Sequence, residues 1–186
     1  MNARPYQVKG STVRSKLDFV HEAFGEKARS DLESQFEGRG LLPILVSGWY
    51  DYDLYIEVLE AIATAHYAGD LSRLEAIGAY SADQALRTVY AAFVRQAGFV
   101  EFLRGMSRLH HMFYNAGEIV VDVDASERRA TIWHRDKPRV AEADLHIAAG
   151  FYRKAAEMHG GADGGAESVT CTFATRDDGA HFTVCW

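Results

Sequence analysis

The sequence predicts an α+β domain, with a helical N-terminal lobe packed on a C-terminal antiparallel sheet that carries one long helix. Three observations predict it. Before Gly117 the apolar residues recur every three or four positions, the period of an amphipathic helix. After Gly117 they alternate in short runs rich in Val, Thr and Ile, the period of a half-buried strand. One helical stretch, Ala141 to His159, interrupts those runs and gives a ββαββ order. With 186 residues, 48% of them hydrophobic and 25% charged, the chain is expected to form a single domain, 1–186. Its helical lobe is placed over 1–116 and its sheet lobe over 117–186.

The elements follow in order. Ser11 or Thr12 can cap a first helix whose stripe is Val13, Leu17, Val20 and Phe24, and Gly25 ends it. A second helix runs from Glu26 to about Phe36, before Gly38-Arg39-Gly40 breaks the pattern. Leu41 to Val46 reads as a buried connector. Asp51 and Asp53 cap a helix that continues to His66, with Leu54, Val58, Ile62 and Ala65 on one face. A short helix over 70–77 is expected to stop at Gly78. Ser81 to Gln84 reads as a capping box that opens a helix to Ala97, with Gly98 as its left-handed cap. A further helix covers Phe99 to Asn115. Strands are placed at Glu118–Val123, Arg129–Arg135, Glu167–Thr175 and Ala180–Trp186, with the Gly-rich loop Gly160–Gly165 after the long helix.

The last two strands admit a register argument. A two-residue turn at Asp178-Gly179 would pair Phe173 with Val184 and Cys171 with Trp186, leaving the apolar residues of both strands on one face. Cys171 and Cys185 then lie on opposite faces, so two free thiols are expected rather than a disulfide.

Charge and composition exclude several classes. A net charge of −6 gives no electrostatic footprint for nucleic acid or an anionic membrane surface. No apolar run approaches the roughly 20 residues of a spanning helix. The N-terminus lacks the apolar stretch of a signal peptide, so a cytoplasmic, reducing location is expected. No nucleophile–base pair, Gly-x-Ser-x-Gly elbow or phosphate-cradling loop is readable, and no catalytic residue is assigned. Nor is a metal assigned. Cys185, His181 and His134 could share a sheet face, but strand positions four apart are separated by about 13 Å, too far for one zinc ion.

The segment Phe102 to Tyr114 carries the most chemistry. On a helix Leu103, Met106, His110 and Phe113 form one stripe, while His111 falls with Arg104, Ser107 and Arg108. His110 therefore looks inward and His111 outward. An inward imidazole among Leu, Met and Phe suits either a core hydrogen bond or the proximal side of a haem iron. Aromatic side chains gather in the same half, at Trp49, Tyr50, Tyr52 and Tyr55 and again at Tyr90, Phe93, Phe99, Phe102 and Phe113. They would either fill a core or line an apolar pocket between helices and sheet.

Several strings carry a family resemblance. They are Val13 to Gly25, Trp49-Tyr50-Asp51 before a helix, Leu74 to Tyr80, Phe102 to His110, and the closing strand that ends in Trp186. In their order they resemble the superfamily of haem nitric-oxide/oxygen-binding (H-NOX) domains, vinyl-reductase-type ligand domains and TRAPP vesicle-tethering subunits. Within it they look most like a paralogous family abundant in myxobacteria. The resemblance implies the H-NOX/TRAPP-like fold and sets His110 where H-NOX domains hold their haem-ligating histidine. Those domains clamp the haem propionates with Tyr-x-Ser-x-Arg on a strand. Here the corresponding stretch is Trp133-His134-Arg135-Asp136-Lys137, so only Arg135 and Lys137 could meet propionates.

The expected function is therefore a non-catalytic bacterial domain that binds a small apolar or amphipathic ligand, or docks to a protein partner, in signalling or regulation. Its ligand-binding residues are expected to be Leu103, Met106, His110, Phe113, Leu17 and Ile132, with no cofactor. The alternatives are a haem sensor of NO or O2 using His110, and a structural homodimer module with a filled core.

Overall fold

A computed structural model describes residues 5–88, 99–160, 169–176 and 179–186. The chain is α+β. Its elements are β1 (Gln7–Lys9), α1 (Gly10–Phe24), α2 (Glu26–Gln35), β2 (Trp49–Asp51) and α3 (Tyr52–Tyr67). A 3₁₀ turn (Leu71–Leu74) leads to α4 (Glu75–Arg87), followed by α5 (Phe99–Phe113), β3 (Glu118–Asp124) and β4 (Arg129–Arg135). The chain continues with α6 (Glu142–Gly160), β5 (Thr170–Arg176) and β6 (Gly179–Cys185). Four strands form an antiparallel sheet in the order β3-β4-β6-β5. A separate ribbon pairs β1 with β2. That ribbon is absent from the sequence reading because three residues per strand are too few to show an alternation.

The first helix does not use the expected cap. It begins at Gly10, and neither Ser11 nor Thr12 caps it through a side chain. Its leading N–H groups are met by backbone instead: Gly10 N donates to Gly48 O at 2.9 Å and Ser11 N to Val46 O at 3.0 Å. The connector 41–48 is thereby stitched to α1. A Cβ on Gly10 would stand 2.0 Å from Leu45 O, so only glycine permits this approach. By contrast, the Asp51 cap of α3 is present, its carboxylate accepting from the N–H groups of Asp53 and Leu54.

Residues 70–87 depart from the expected break at Gly78. Gly78 does not stop a helix and Ser81 does not open one: α4 runs unbroken through both. Gly78 is present because α4 crosses α6 there. A Cβ on Gly78 would lie 2.0 Å from Ile147 O, and one on Gly150 the same distance from Glu75 O. Ser81, freed from capping, turns its hydroxyl back to Ile77 O. The rest of the predicted helix to Ala97, with its Gly98 cap, lies outside the described residues.

Two cores result. The first gathers Val13, Leu17 and Val20 of α1 with Leu32, Tyr55, Val58, Leu59 and Ile62 of the next helices. Phe24, expected in that stripe, is instead 37% exposed and stacks on His66. Ala65 is exposed, and Tyr55 and Leu59 take the buried arc of α3. The second core packs Phe102 and Leu103 of α5 and the inner sheet face (Ala130, Ile132, Phe182, Val184) against α6. Alanines 149, 155 and 156 let α6 lie close on that face, while its Ala143 and Ile147 belong to the first core.

The closing hairpin keeps the predicted faces but not the predicted register. Phe173 pairs with Phe182 and Cys171 with Val184, two residues from the expected partners, because Arg176 pairs with Gly179. A shift of two preserves the side-chain period, so the apolar face stays together. The thiols are free and on opposite faces, Cys171 across from Val184 and Cys185 across from Thr170.

Candidate functional site

Between the two cores lies a half-open cavity of about 500 Å³. Its α5 wall is Met106, Leu109, His110 and Phe113, and α6 faces it with Ile147, Ala148, Phe151 and Tyr152. The sheet closes it with Ile119 and His134, and α4 contributes Ser81, Ala85 and Leu86. Helix α1 lines it through Ser11, Thr12, Ser15 and Lys16. Its surface is mostly apolar, and exposed residues such as Val46 and Gln84 border it. Size and lining are those of a small-molecule site.

Of the six residues expected to bind a ligand, Met106, His110 and Phe113 line this cavity. Leu103, Leu17 and Ile132 do not. Leu17 is committed to the first core, and Leu103 and Ile132 to the second. The α1 surface that reaches the cavity is one step round the helix from Leu17, at Lys16. On the sheet it is His134, two residues beyond Ile132 on the same face, that borders the space.

His110 is buried and points inward, whereas His111 is exposed. Its ring stacks on Tyr114, and Nε2 lies 3.0 Å from Ala116 O. A carbonyl only accepts, so Nε2 carries the proton. Burial, then the nearby Lys137, pushes the imidazole down to about 4, overcoming the Ala116 bond. His110 is thus neutral in the folded chain at pH 7. His134 is held neutral by the same causes, burial first, with its Nε2 2.6 Å from the Tyr152 hydroxyl.

The folded value of His110 lies below the ordinary 6.5, so its contribution to stability is complete above pH 6.5 and is lost as pH falls from there toward 4. Two and a half pH units correspond to on the order of 3 kcal/mol. His110→Gln, which can still donate to Ala116 but does not titrate, is expected to show a shallower loss of urea midpoint between pH 6.5 and 4. Parallel curves for variant and parent would disprove it.

Beside the cavity lies a buried ion pair that the sequence reading did not contain. Asp144, in the first turn of α6, sits 3.6 Å from Lys137 Nζ. Tyr114 donates to its Oδ1 at 2.8 Å and Tyr52 to its Oδ2 at 3.1 Å, with Tyr55 at 3.4 Å. Lys137 Nζ also stands over the Tyr114 ring. The two cations expected to meet propionates are therefore engaged elsewhere: Lys137 with Asp144, and Arg135 exposed over the Trp133 ring. His181 packs on Trp133 as well, across the sheet from His134. Among the described residues no three His, Cys, Asp or Glu side chains gather to hold a metal ion.

These residues do not fit haem. Nε2 of His110 is occupied by the Ala116 carbonyl, and neither Arg135 nor Lys137 borders the cavity.

An α+β domain with a ligand-sized cavity between its helical half and its sheet is the class that fold and site define. The particular fold is that of H-NOX domains. The chain superimposes on the Fe(II) unliganded H-NOX protein from K. algicida with TM-score 0.69 and 14% identity over 95% of both chains. The S. oneidensis H-NOX protein in its Fe(II)NO ligation state gives TM-score 0.71 at 10% identity, over 95% of this chain and 97% of that one. An oxygen-binding H-NOX domain related to soluble guanylate cyclases, as its oxygen complex, gives 0.67 at 9%, over 95% and 92%. No protein-family model matches the chain, and no curated protein does. Among the described residues no helix is long and apolar enough to cross a membrane.

Proposed function

We propose that this protein is a non-catalytic domain that binds a small apolar or amphipathic molecule, without haem, in signalling or regulation. The cavity is the observation that carries the reading: about 500 Å³, mostly apolar, with a few polar groups converging on it. The likeness to H-NOX domains, whose solved structures include NO and oxygen complexes, supports a ligand-binding role. The departure of Trp133, Arg135 and Lys137 from the propionate-clamp pattern, and the engaged Nε2 of His110, argue for an occupant other than haem.

Protein purified from haem-supplemented cells is expected to show no Soret band. Small apolar fragments are expected to shift the methyl resonances of Met106 and Ile119. A stoichiometric Soret band that disappears in His110→Ala would replace this reading with a haem gas sensor. Failure of every fragment to perturb those methyls would favour a structural dimer module.

A further inference from the structure

Lys16 is the unusual group in the cavity wall. It projects from α1 and is 2% exposed, yet among the described residues no carboxylate comes within 4.0 Å of its Nζ. Its partners are hydroxyls: Ser81 Oγ at 2.9 Å and Ser15 Oγ at 3.3 Å. Both serines line the same cavity. One helical turn before Lys16, Thr12 Oγ1 also borders the cavity, buried and without a hydrogen-bond partner among the described residues. A buried ammonium is normally paired, because desolvation without a countercharge is costly. The acid whose charge reaches Lys16 is Asp144, and it is already committed to Lys137 and three tyrosine hydroxyls.

Resting on the reading above, we propose that the occupant is an amphipathic carboxylate. Lys16 supplies the countercharge to its head, Ser15, Ser81 and Thr12 supply hydroxyl donors, and the apolar body lies against the Met106–Phe113 face of α5. The hydroxyls can serve either partner. The two serine hydroxyls accept from the ammonium while donating to Thr12 O and Ile77 O, and they can rotate away from those carbonyls to donate to a carboxylate, whereas the Thr12 hydroxyl is already uncommitted. Burial lowers Lys16 to about 8, which still leaves it protonated at neutral pH. An anion beside it would raise that value and restore the usual paired state of a buried lysine. The division of labour is that of a small-molecule site: an apolar wall for affinity and one charged end for orientation.

The test compares heads on the same body. The full chain is titrated calorimetrically at pH 7 with 2-naphthoate against 2-naphthalenemethanol, and with octanoate against 1-octanol. At least one acid is expected to bind at least tenfold more tightly than its alcohol. Lys16→Met, similar in length and apolar, is expected to cut the affinity for that acid by at least tenfold while leaving the alcohol's affinity within twofold. Alcohols that bind as well as the acids in the parent protein would overturn the carboxylate assignment while leaving a ligand cavity standing. So would an acid preference that persists in Lys16→Met. Failure of all four compounds to bind the parent protein would overturn both the assignment and the ligand-binding reading. The parent comparison decides the matter even where the variant does not fold.

Discussion

Asp144→Asn is expected to lower stability by about 3–5 kcal/mol, the cost of removing one partner from a buried ion pair. The substitution keeps the volume and removes the charge. Lys137, whose side chain is 2% exposed, is then left without its countercharge, and three tyrosine hydroxyls lose an ionised acceptor. Burial already pulls Lys137 below its ordinary range against the opposing pull of Asp144. The variant should therefore recover part of its deficit as pH rises through the lowered value toward 10.5, where a neutral amine becomes cheap. Replacing both members, as Asp144→Asn with Lys137→Met, should restore much of the loss, since an uncharged pair does not carry the desolvation cost of the charged one and the new side-chain amide can still accept from the tyrosines. Urea unfolding at constant slope measures all three. A single variant that loses less than about 1 kcal/mol, the size of an exposed pair, would show that the pair is solvated.

Gly150→Ala should also be costly, although the change normally favours a helix interior by about 1 kcal/mol. The new methyl would stand 2.0 Å from Glu75 O and 2.7 Å from Glu75 C, so backbone rather than a flexible side chain must yield. Overpacking of this kind costs about 1–3 kcal/mol and here should exceed the propensity gain. Gly78→Ala meets Ile147 O at the same distance from the other side of the crossing and should behave alike. Once one methyl has pushed α4 and α6 apart, the second finds room, so the double variant should lose clearly less than the sum of the singles. Thermal midpoints of the four proteins decide this. A stabilised Gly150→Ala would mean that the helices are further apart than the structure places them.

Much of the fold was legible in the sequence because long periodic elements announce themselves. α1, α3, the inward His110 and the faces of the closing hairpin follow from periods of 3.6 and 2. What was not legible depends on contacts between distant segments. Gly78 reads as a stop because glycine in a helix is locally unfavourable, and only the approach of Ile147, sixty-nine positions away, explains it. Ser81 and Gln84 have the composition of a capping box, and no local signal says that the preceding turn is already helical. The lining of the candidate cavity is half legible. The α5 stripe holds three residues that line the cavity, Met106, His110 and Phe113, whereas on α1 the apolar stripe points to Leu17, which the first core takes. The available signal on α1 was the polar arc Thr12, Ser15 and Lys16, which would have suggested solvent. Asp144 and Lys137 had no signal of their own, since a charge seven residues from its partner reads as surface.

The apolar wall of the cavity would also set how binding of the proposed ligand responds to temperature. A body that leaves water to lie against Met106, Phe113 and Ile119 removes hydrated apolar surface on both sides, and such removal lowers the heat capacity. The enthalpy of association then grows more favourable on warming while the entropy grows less so, the two nearly cancelling. Affinity for an apolar body thus changes little across the temperatures a cell meets, even as the heat released changes severalfold. A detector built on this wall would report how much of its ligand is present rather than how warm its surroundings are.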